Sequence, residues 1–583
     1  MVSASGQRVL VFNGEIYNFT ELHAELEQQG RAPAWRGHSD TETLLAAFEA
    51  WGVEQTLKRA RGMFALALWD RRNRTLTLAR DRLGEKPLYY GWQMKGQQPA
   101  FLFGSELKAL REHPSFAGEV DRSAVCLLLR HNCVPAPYSI YRGISKLMPG
   151  HYLTLTEQDL QAQRLPASTP YWSLAEVAVA GVAAPWQGSD DQAIRELDAL
   201  LRDAIGQQMV ADVPLGAFLS GGIDSSTIVA LMQAQSSKPV KTFSIGFDEA
   251  GYNEAVYAKA VADHLKTEHT ELYVQPAQAQ AVIPRLPTLY DEPFADSSQI
   301  PTFLVSQLAA RHVKMVLSGD GGDELFAGYS RYRRYATLQR IRRATLGMAP
   351  GLAKLGGALL PGARGRRLSG IGQRLGLPWP DDYLALVALA NPADLRLLFG
   401  ERAHADPFGS VRQRFVRSDI DSHAEQILSG DMDTYLVDDI LVKVDRTTMA
   451  NSLEARAPLL DQNLIAFAAR LPFDLKLRGE QGKYLFRKVA ARLLPAEVLT
   501  KRKQGFAIPL ATWFRNDLRP MLLDTISSRA FKERGIFDQA GIQRLVDEHQ
   551  QGLQDRGELL WMVMVLETWM RTLPDQTSPS PMH

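Results

Sequence analysis

The sequence predicts an α/β protein whose larger, C-terminal part is a doubly wound parallel sheet. Three observations carry this. From about residue 190 onward, short apolar strands alternate with helices, the order a parallel sheet requires. One of those strands runs into a loop of glycines and serines that opens a helix at Ser220. Before them, the first part of the chain sets an apolar hairpin beside two helices, so a separate strand-rich layer precedes the parallel sheet.

In chain order, Val9 to Phe12 reads as a short strand. Thr20 to Gln29 carries Leu22 and Leu26 at i, i+4 and reads as a helix, followed by a second helix from Thr41 to Trp51. Met63 to Trp69 and Thr75 to Ala79 read as strands joined by the turn Asp70 to Arg74. Residues 157–189 lose periodicity and gain Pro, Ala, Gly and Gln, so they are read as a linker after a first domain at 1–156. A second domain at 190–573 starts with the helix Ile194 to Met209. It continues with the strand Pro214 to Leu219, the loop and helix Ser220 to Gln233, the strand Val240 to Phe247, the helix Glu254 to Leu265 and the strand Val313 to Leu317. Ligands of such a sheet bind at the C-terminal ends of the strands. A helical insertion is expected at about 339–430. Its Gly-, Leu- and Arg-rich part, Gln339 to Leu377, with Arg364, Arg366 and Arg367, reads as a solvated surface rather than a nucleic-acid or lipid patch. Residues 574–583 read as a disordered tail.

Composition narrows the class. Of 583 residues, 45% are hydrophobic and 22% charged, ordinary globular values. With 66 basic and 65 acidic residues the net charge is +1, which gives no global pull toward nucleic acid or membrane. Cys126 and Cys133 are too few for a disulfide framework or a cysteine-rich zinc site and read as buried structural thiols. Apolar runs fall short of the ~20 residues that span a bilayer, and no signal peptide is visible. A cytoplasmic location is expected.

The run Ser220-Gly221-Gly222-Ile223-Asp224-Ser225-Ser226 follows a strand and opens a helix. Adjacent glycines let amides turn toward a ligand, serines add hydroxyls, and the helix N-terminus adds partial positive charge, which together make an anion cradle. Asp224 inside it makes sense if Mg²⁺ stands between its carboxylate and phosphates. No Gly-Lys-Ser/Thr ends the run, so it is not a Walker loop.

This run resembles the pyrophosphate loop of N-type ATP pyrophosphatases, which cleave ATP between the α- and β-phosphates. A second run, Ser318-Gly319-Asp320-Gly321-Gly322-Asp323-Glu324-Leu325-Phe326-Ala327-Gly328-Tyr329, resembles a signature of the glutamine-hydrolysing asparagine synthetases. Residues 11–18, 39–42 and 80–90 resemble that family's amidotransferase half, and residues 452–461 and 482–487 its ligase half, all in the family's order.

The resemblance implies an N-terminal Ntn-hydrolase-type αββα sandwich, here incomplete, before an ATP-pyrophosphatase-type sheet. It implies aspartate plus ATP giving β-aspartyl-AMP and pyrophosphate, with ammonia, supplied by glutamine in full-length relatives, attacking the activated carbonyl. By resemblance, Asp224 and Asp323 hold Mg²⁺, and Ser220, Gly221, Gly222, Ser225 and Ser226 cradle pyrophosphate. Leu219, Ile245 and the Ser318-Gly319 backbone meet the adenosine, although Leu219 and Ile245 also suit a strand core. Lys483 stabilises charge on phosphate and on the tetrahedral intermediate. Asp320, where relatives often carry Glu, takes the proton of the attacking ammonia. Asp438 and Asp439 read either as contacts to the substrate amine or as helix caps. A homodimer is left open.

The amidotransferase resemblance implies a cysteine nucleophile at residue 1 after Met removal. The chain opens Met1-Val2 with no cysteine nearby, so a start placed too late or a truncated paralogue is expected, with sheet edges left unpaired. Asn13 and Gly14 resemble an oxyanion hole, or else form a tight turn, and Glu15 and Asp40 resemble contacts to a glutamine α-amine. Ammonia-driven chemistry without glutaminase is expected of the residues present. One rival reading keeps the machinery but activates another carboxylate, such as a sugar acid in surface polysaccharide synthesis or a β-lactam-forming substrate. Another rival is a non-catalytic scaffold.

Overall fold

The computed structural model describes residues 1–247, 254–345, 348, 351, 353, 362–400, 409–500 and 508–573. The Arg364, Arg366 and Arg367 side chains and residues 574–583 lie outside them.

The N-terminal half holds two antiparallel sheets. The first runs in the order β1 (Arg8–Ile16), β2 (Gly62–Asp70), β3 (Thr75–Arg80), β7 (His151–Thr156), β8 (Thr169–Pro170). The second places β4 (Tyr89–Lys95) between β5 (Gln98–Gly104) and β6 (Ile144–Lys146). The period of two sorts β2 between two cores. Phe64, Leu66 and Leu68 join Leu22, Leu44 and Phe48 under the helices, while Ala65 and Ala67 face Leu88, Tyr90 and Leu153 between the sheets. Small Ala65 and Ala67 on the inner face let the second sheet approach.

Two expectations shift here. β1 is longer than Val9 to Phe12, because its register with β2 continues unbroken from Arg8↔Asp70 to Ile16↔Gly62. Asn13-Gly14-Glu15, weak strand formers alone, are held extended by that partner strand, so Asn13-Gly14 is not a tight turn. Residues 157–189 also carry regular elements. Thr156 and Asp159 form a capping box for the helix Glu157–Gln161, β8 pairs with β7, and the helix Leu174–Ala183 sets Gly181 against Ala469 of the other half. Low periodicity reflects short elements rather than free chain.

The C-terminal half is built on five parallel strands in the order β11 (Glu268–Val274), β10 (Lys241–Phe247), β9 (Leu215–Phe218), β12 (Met315–Leu317), β13 (Glu454–Arg456). The winding goes outward from β9 in one direction through β10 and β11, then in the other through β12 and β13. The strand order therefore reverses between β9 and β12, and a crevice opens beyond their C-terminal ends. Cys126 lies on the helix Arg122–His131; both cysteines are buried and free.

Apolar packing and buried ion pairs hold the two halves together. Lys86 Nζ meets Asp445 at 3.0 Å with both side chains almost fully buried. Arg446 joins Glu106 at 2.8 Å as well as Asp445, and Lys146 pairs with Glu292. Asp291 accepts from the Leu107 amide at 2.9 Å and Asp438 from the Ala136 amide at 3.1 Å. Among the described residues no helix is long and apolar enough to cross a membrane.

Candidate active site at the sheet reversal

A cavity of about 1400 Å³ fills the crevice beyond β9 and β12. Leu219, Ser220, Gly222, Asp224 and Ser225 line it from the first loop, Ile245 from the end of β10, and Ser318, Gly319, Asp320 and Asp323 from the loop after β12. Lys483 closes it from the far end of the sequence. The two loops meet because they follow the neighbouring strands β9 and β12, while Lys483 enters from outside the parallel sheet.

The first loop is folded by its own serines. The Ser225 hydroxyl accepts from the Ser220 amide at 3.2 Å and lies 3.0 Å from the Ser220 hydroxyl. Gly222 takes the extended N-cap conformation of the helix Ile223–Gln235, whose first turn holds Asp224. Gly221 has φ +66°, and a Cβ there would stand 2.6 Å from the Ala258 amide nitrogen. Two predicted cradle residues do not line the cavity. Gly221 is turned against the helix Ala255–Leu265, and Ser226 is fully buried on the helix.

Asp224 and Asp323 come from different loops and converge on one cation position. Lys483 Nζ sits there, bound to Asp224 and 2.8 Å from Asp323 Oδ1. Burial opposes the ammonium charge, but the two carboxylates outweigh it and hold the lysine pKa above its ordinary value. The lysine is fixed in turn: it is left-handed at φ 57°, its amide donates to Phe326 O at 2.8 Å, and Gly328 lies flat against its stem. Among the described residues no three or more His, Cys, Asp or Glu side chains gather as a metal site. Two carboxylates that already share a cation match the one or two that Mg²⁺ takes from protein when phosphates supply further oxygens.

A second charged group at the cavity wall escaped the sequence reading. Lys443 Nζ donates to Asp296 Oδ2 at 2.9 Å and Ser298 Oγ at 2.8 Å. Burial works against its charge, and Asp296, Asp439 and Asp320 outweigh burial. Asp320 thus faces a lysine across the cavity. The partners Asp296 and Lys443 are 147 positions apart, so no local spacing announces them. Asp438 and Asp439 sit inside the π-helical turn Met432–Ile440, cap nothing and do not line the cavity. Asp438 accepts from Arg414 at 3.0 Å; Asp439 lies behind Lys443, its pKa pushed well up by burial and by Asp296.

In the N-terminal half Asn13 Nδ2 donates to Ser105 Oγ at 3.0 Å, and Gly14 pairs with Phe64. Asp40 accepts from the Ile16 amide at 3.0 Å. Glu15 points to the other half, 3.4 Å from Arg456. Burial raises the Glu15 pKa to about 7; Arg456 lowers it, while Asp40, Glu454 and Asp212 add to the rise. The folded state therefore keeps this proton to higher pH than the unfolded chain, and stability falls as pH rises between about 4.5 and 7. Glu15→Gln is expected to remove that slope. Its stability relative to the parent should grow between pH 5 and pH 8, by on the order of 1–2 kcal/mol after solvent screening, read by thermal unfolding at both pH values.

The two halves and their loops have the form of an amidotransferase domain joined to a ligase domain, and comparison with known proteins gives the same division. A glutamine amidotransferase domain model matches residues 1–172, and an asparagine synthase model matches 196–571. Asparagine synthetase (glutamine-hydrolysing) 1 of Bacillus subtilis is 31% identical over 98% of this chain and 88% of its own length. A Mycobacterium bovis relative under the same family name is 35% identical over 97% of this chain and 84% of its own. Amidase chry2 of Gibberella zeae is 25% identical over 93% and 84%. The chain belongs to the glutamine-hydrolysing asparagine synthetase family, and it is an enzyme of that family.

Proposed function

We propose that this chain is an ATP- and Mg²⁺-dependent amide ligase that converts aspartate to asparagine through β-aspartyl-AMP, with ammonia as the nitrogen donor. One observation carries the reading: Asp224 and Asp323 share the Lys483 ammonium where the strand order of a parallel sheet reverses, beside a serine–glycine loop at a helix N-terminus. That arrangement suits an ATP-pyrophosphatase-type sheet. The amides and hydroxyls of Ser220, Gly222 and Ser225 face the departing pyrophosphate. Leu219, Ile245 and the Ser318-Gly319 backbone hold the adenosine. Asp224 and Asp323 would hold Mg²⁺, which would supply charge neutralisation of the triphosphate. The Lys483 ammonium stabilises negative charge that develops on phosphate and carbonyl oxygen. Asp320, across the cavity from Lys443, takes a proton from ammonia as the C–N bond forms and AMP leaves.

The test measures pyrophosphate release from ATP with aspartate and ammonium salts, with mass analysis of the product. Asparagine is the expected product, and the rate is expected to rise with pH as more free NH₃ becomes available. Pyrophosphate release only with a different acid, a sugar acid for example, assigns the same machinery to another carboxylate. No binding of Mg-ATP rejects the ligase reading in favour of a scaffold.

A further inference from the structure

Arg456 has its main chain bonded to a cavity residue and its side chain turned toward the N-terminal half. Its carbonyl oxygen accepts from the Ser318 amide at 2.9 Å, and β13 pairs with β12 at Leu317↔Arg456, so its backbone fixes where the second loop leaves the sheet. Ser318 and Gly319 line the nucleotide cavity. Three and four residues further on, the side chains of Leu459 and Leu460 lie against Gly321 and Gly322, the stretch between Asp320 and Asp323. The guanidinium points the other way. It donates to the carbonyls of Gln208 and Val210 at 3.0 and 2.9 Å, holds Glu454 at 2.7 Å, and stands 5.4 Å from the ring centre of Tyr17. Its remaining partner is Glu15, which arrives from β1 of the N-terminal half.

We propose that Arg456 is a positioning residue for the nucleotide cavity, and that Glu15 sets its position from the amidotransferase half. The proposal rests on the ligase reading of the cavity. When Glu15 is ionised its charge draws the guanidinium toward β1, the Arg456 backbone stays in register with Leu317, and the Ser318-Gly319 amides keep the spacing a nucleotide needs. When Glu15 loses its charge, the guanidinium keeps Glu454 and two carbonyls, and β13 is held from one side only. Any ligand cation at Glu15 competes with Arg456 for the same carboxylate, so what occupies the N-terminal half is felt at the loop after β12.

The experiment titrates Mg-ATP into the full chain at pH 8, where Glu15 carries its charge, and compares Glu15→Gln, Arg456→Lys and the double variant. Glu15→Gln is expected to weaken ATP binding about 3- to 10-fold and to raise the ATP KM more than it lowers kcat, although it lies outside the cavity. The double variant should be no weaker than the worse single variant, because one contact is lost in each. A role in folding alone predicts otherwise: Glu15→Gln would unfold at a higher temperature at pH 8 and bind ATP as the parent does. ATP affinity within twofold of the parent overturns the inference. Arg456→Lys, if it does not fold, leaves Glu15→Gln to decide. If the parent itself does not bind Mg-ATP, the ligase reading falls and this inference with it; if the parent binds and Glu15→Gln is silent, only the inference falls.

Discussion

Lys483→Ala is expected to lower pyrophosphate release by at least about 10²–10³-fold, the cost of removing one preorganised charge aimed at the reacting groups. The structure gives two reasons. The ammonium is the shared partner of Asp224 and Asp323, so its loss removes the fixed positive charge these carboxylates hold at the cavity. The lysine is also placed before any substrate arrives, because its amide is bound to Phe326 O and its left-handed backbone starts the helix Tyr484–Ala490. The cavity is open to water, so the carboxylates can recruit ions and the fold should stand; circular dichroism and thermal unfolding check this. Asp224→Asn should show a loss of the same order. Near-parental turnover in either variant overturns the site assignment.

Gly328→Ala is expected to be as damaging through one methyl group. A Cβ at Gly328 would overlap Asp323 Oδ1 and Lys483 Cε, the two groups whose spacing defines the cation position. Neither can yield without moving the other, since they are ion-paired and Lys483 is anchored by its own amide. A fall in pyrophosphate release of about 10²-fold or more is expected. Gly370→Ala is the control. A Cβ there, on the helix Gly362–Leu375, meets nothing within 4 Å, and alanine should leave activity unchanged while favouring the helix by roughly 0.5–1 kcal/mol. Equal losses in the two variants would mean that the Gly328 effect is general to the fold.

What could be read from the sequence was local. The strand-loop-helix at Ser220 and the second loop at Ser318 declare themselves by residue type and order, and the alternation of strands and helices gives the parallel sheet that brings them together. Pattern alone stops β1 at Phe12, because its last residues are extended only through β2, a partner some 50 positions away. Lys443 with Asp296, and Arg456 with Glu15, could not be read at all, because each pair joins segments that only the folded chain makes neighbours. Ser226 shows the converse limit. A motif names the residue types a loop needs, while helix phase decides which of them faces the ligand, and at Ser226 the phase points inward.

The ion pairs buried between the halves bear on how freely such a protein can be reassembled from parts. A greasy seam tolerates substitution as long as volume is kept, whereas Lys86 with Asp445 and Glu106 with Arg446 each need a specific opposite member. A chimera that takes its amidotransferase half from one relative and its ligase half from another would leave the linked Lys86–Asp445–Arg446–Glu106 charges short of a member wherever the donors differ at one of these positions. Modular exchange within the family is thus restricted by matched couples at the seam, and transplanting a half together with its partner residues on the opposite side should rescue chimeras that otherwise fail to fold.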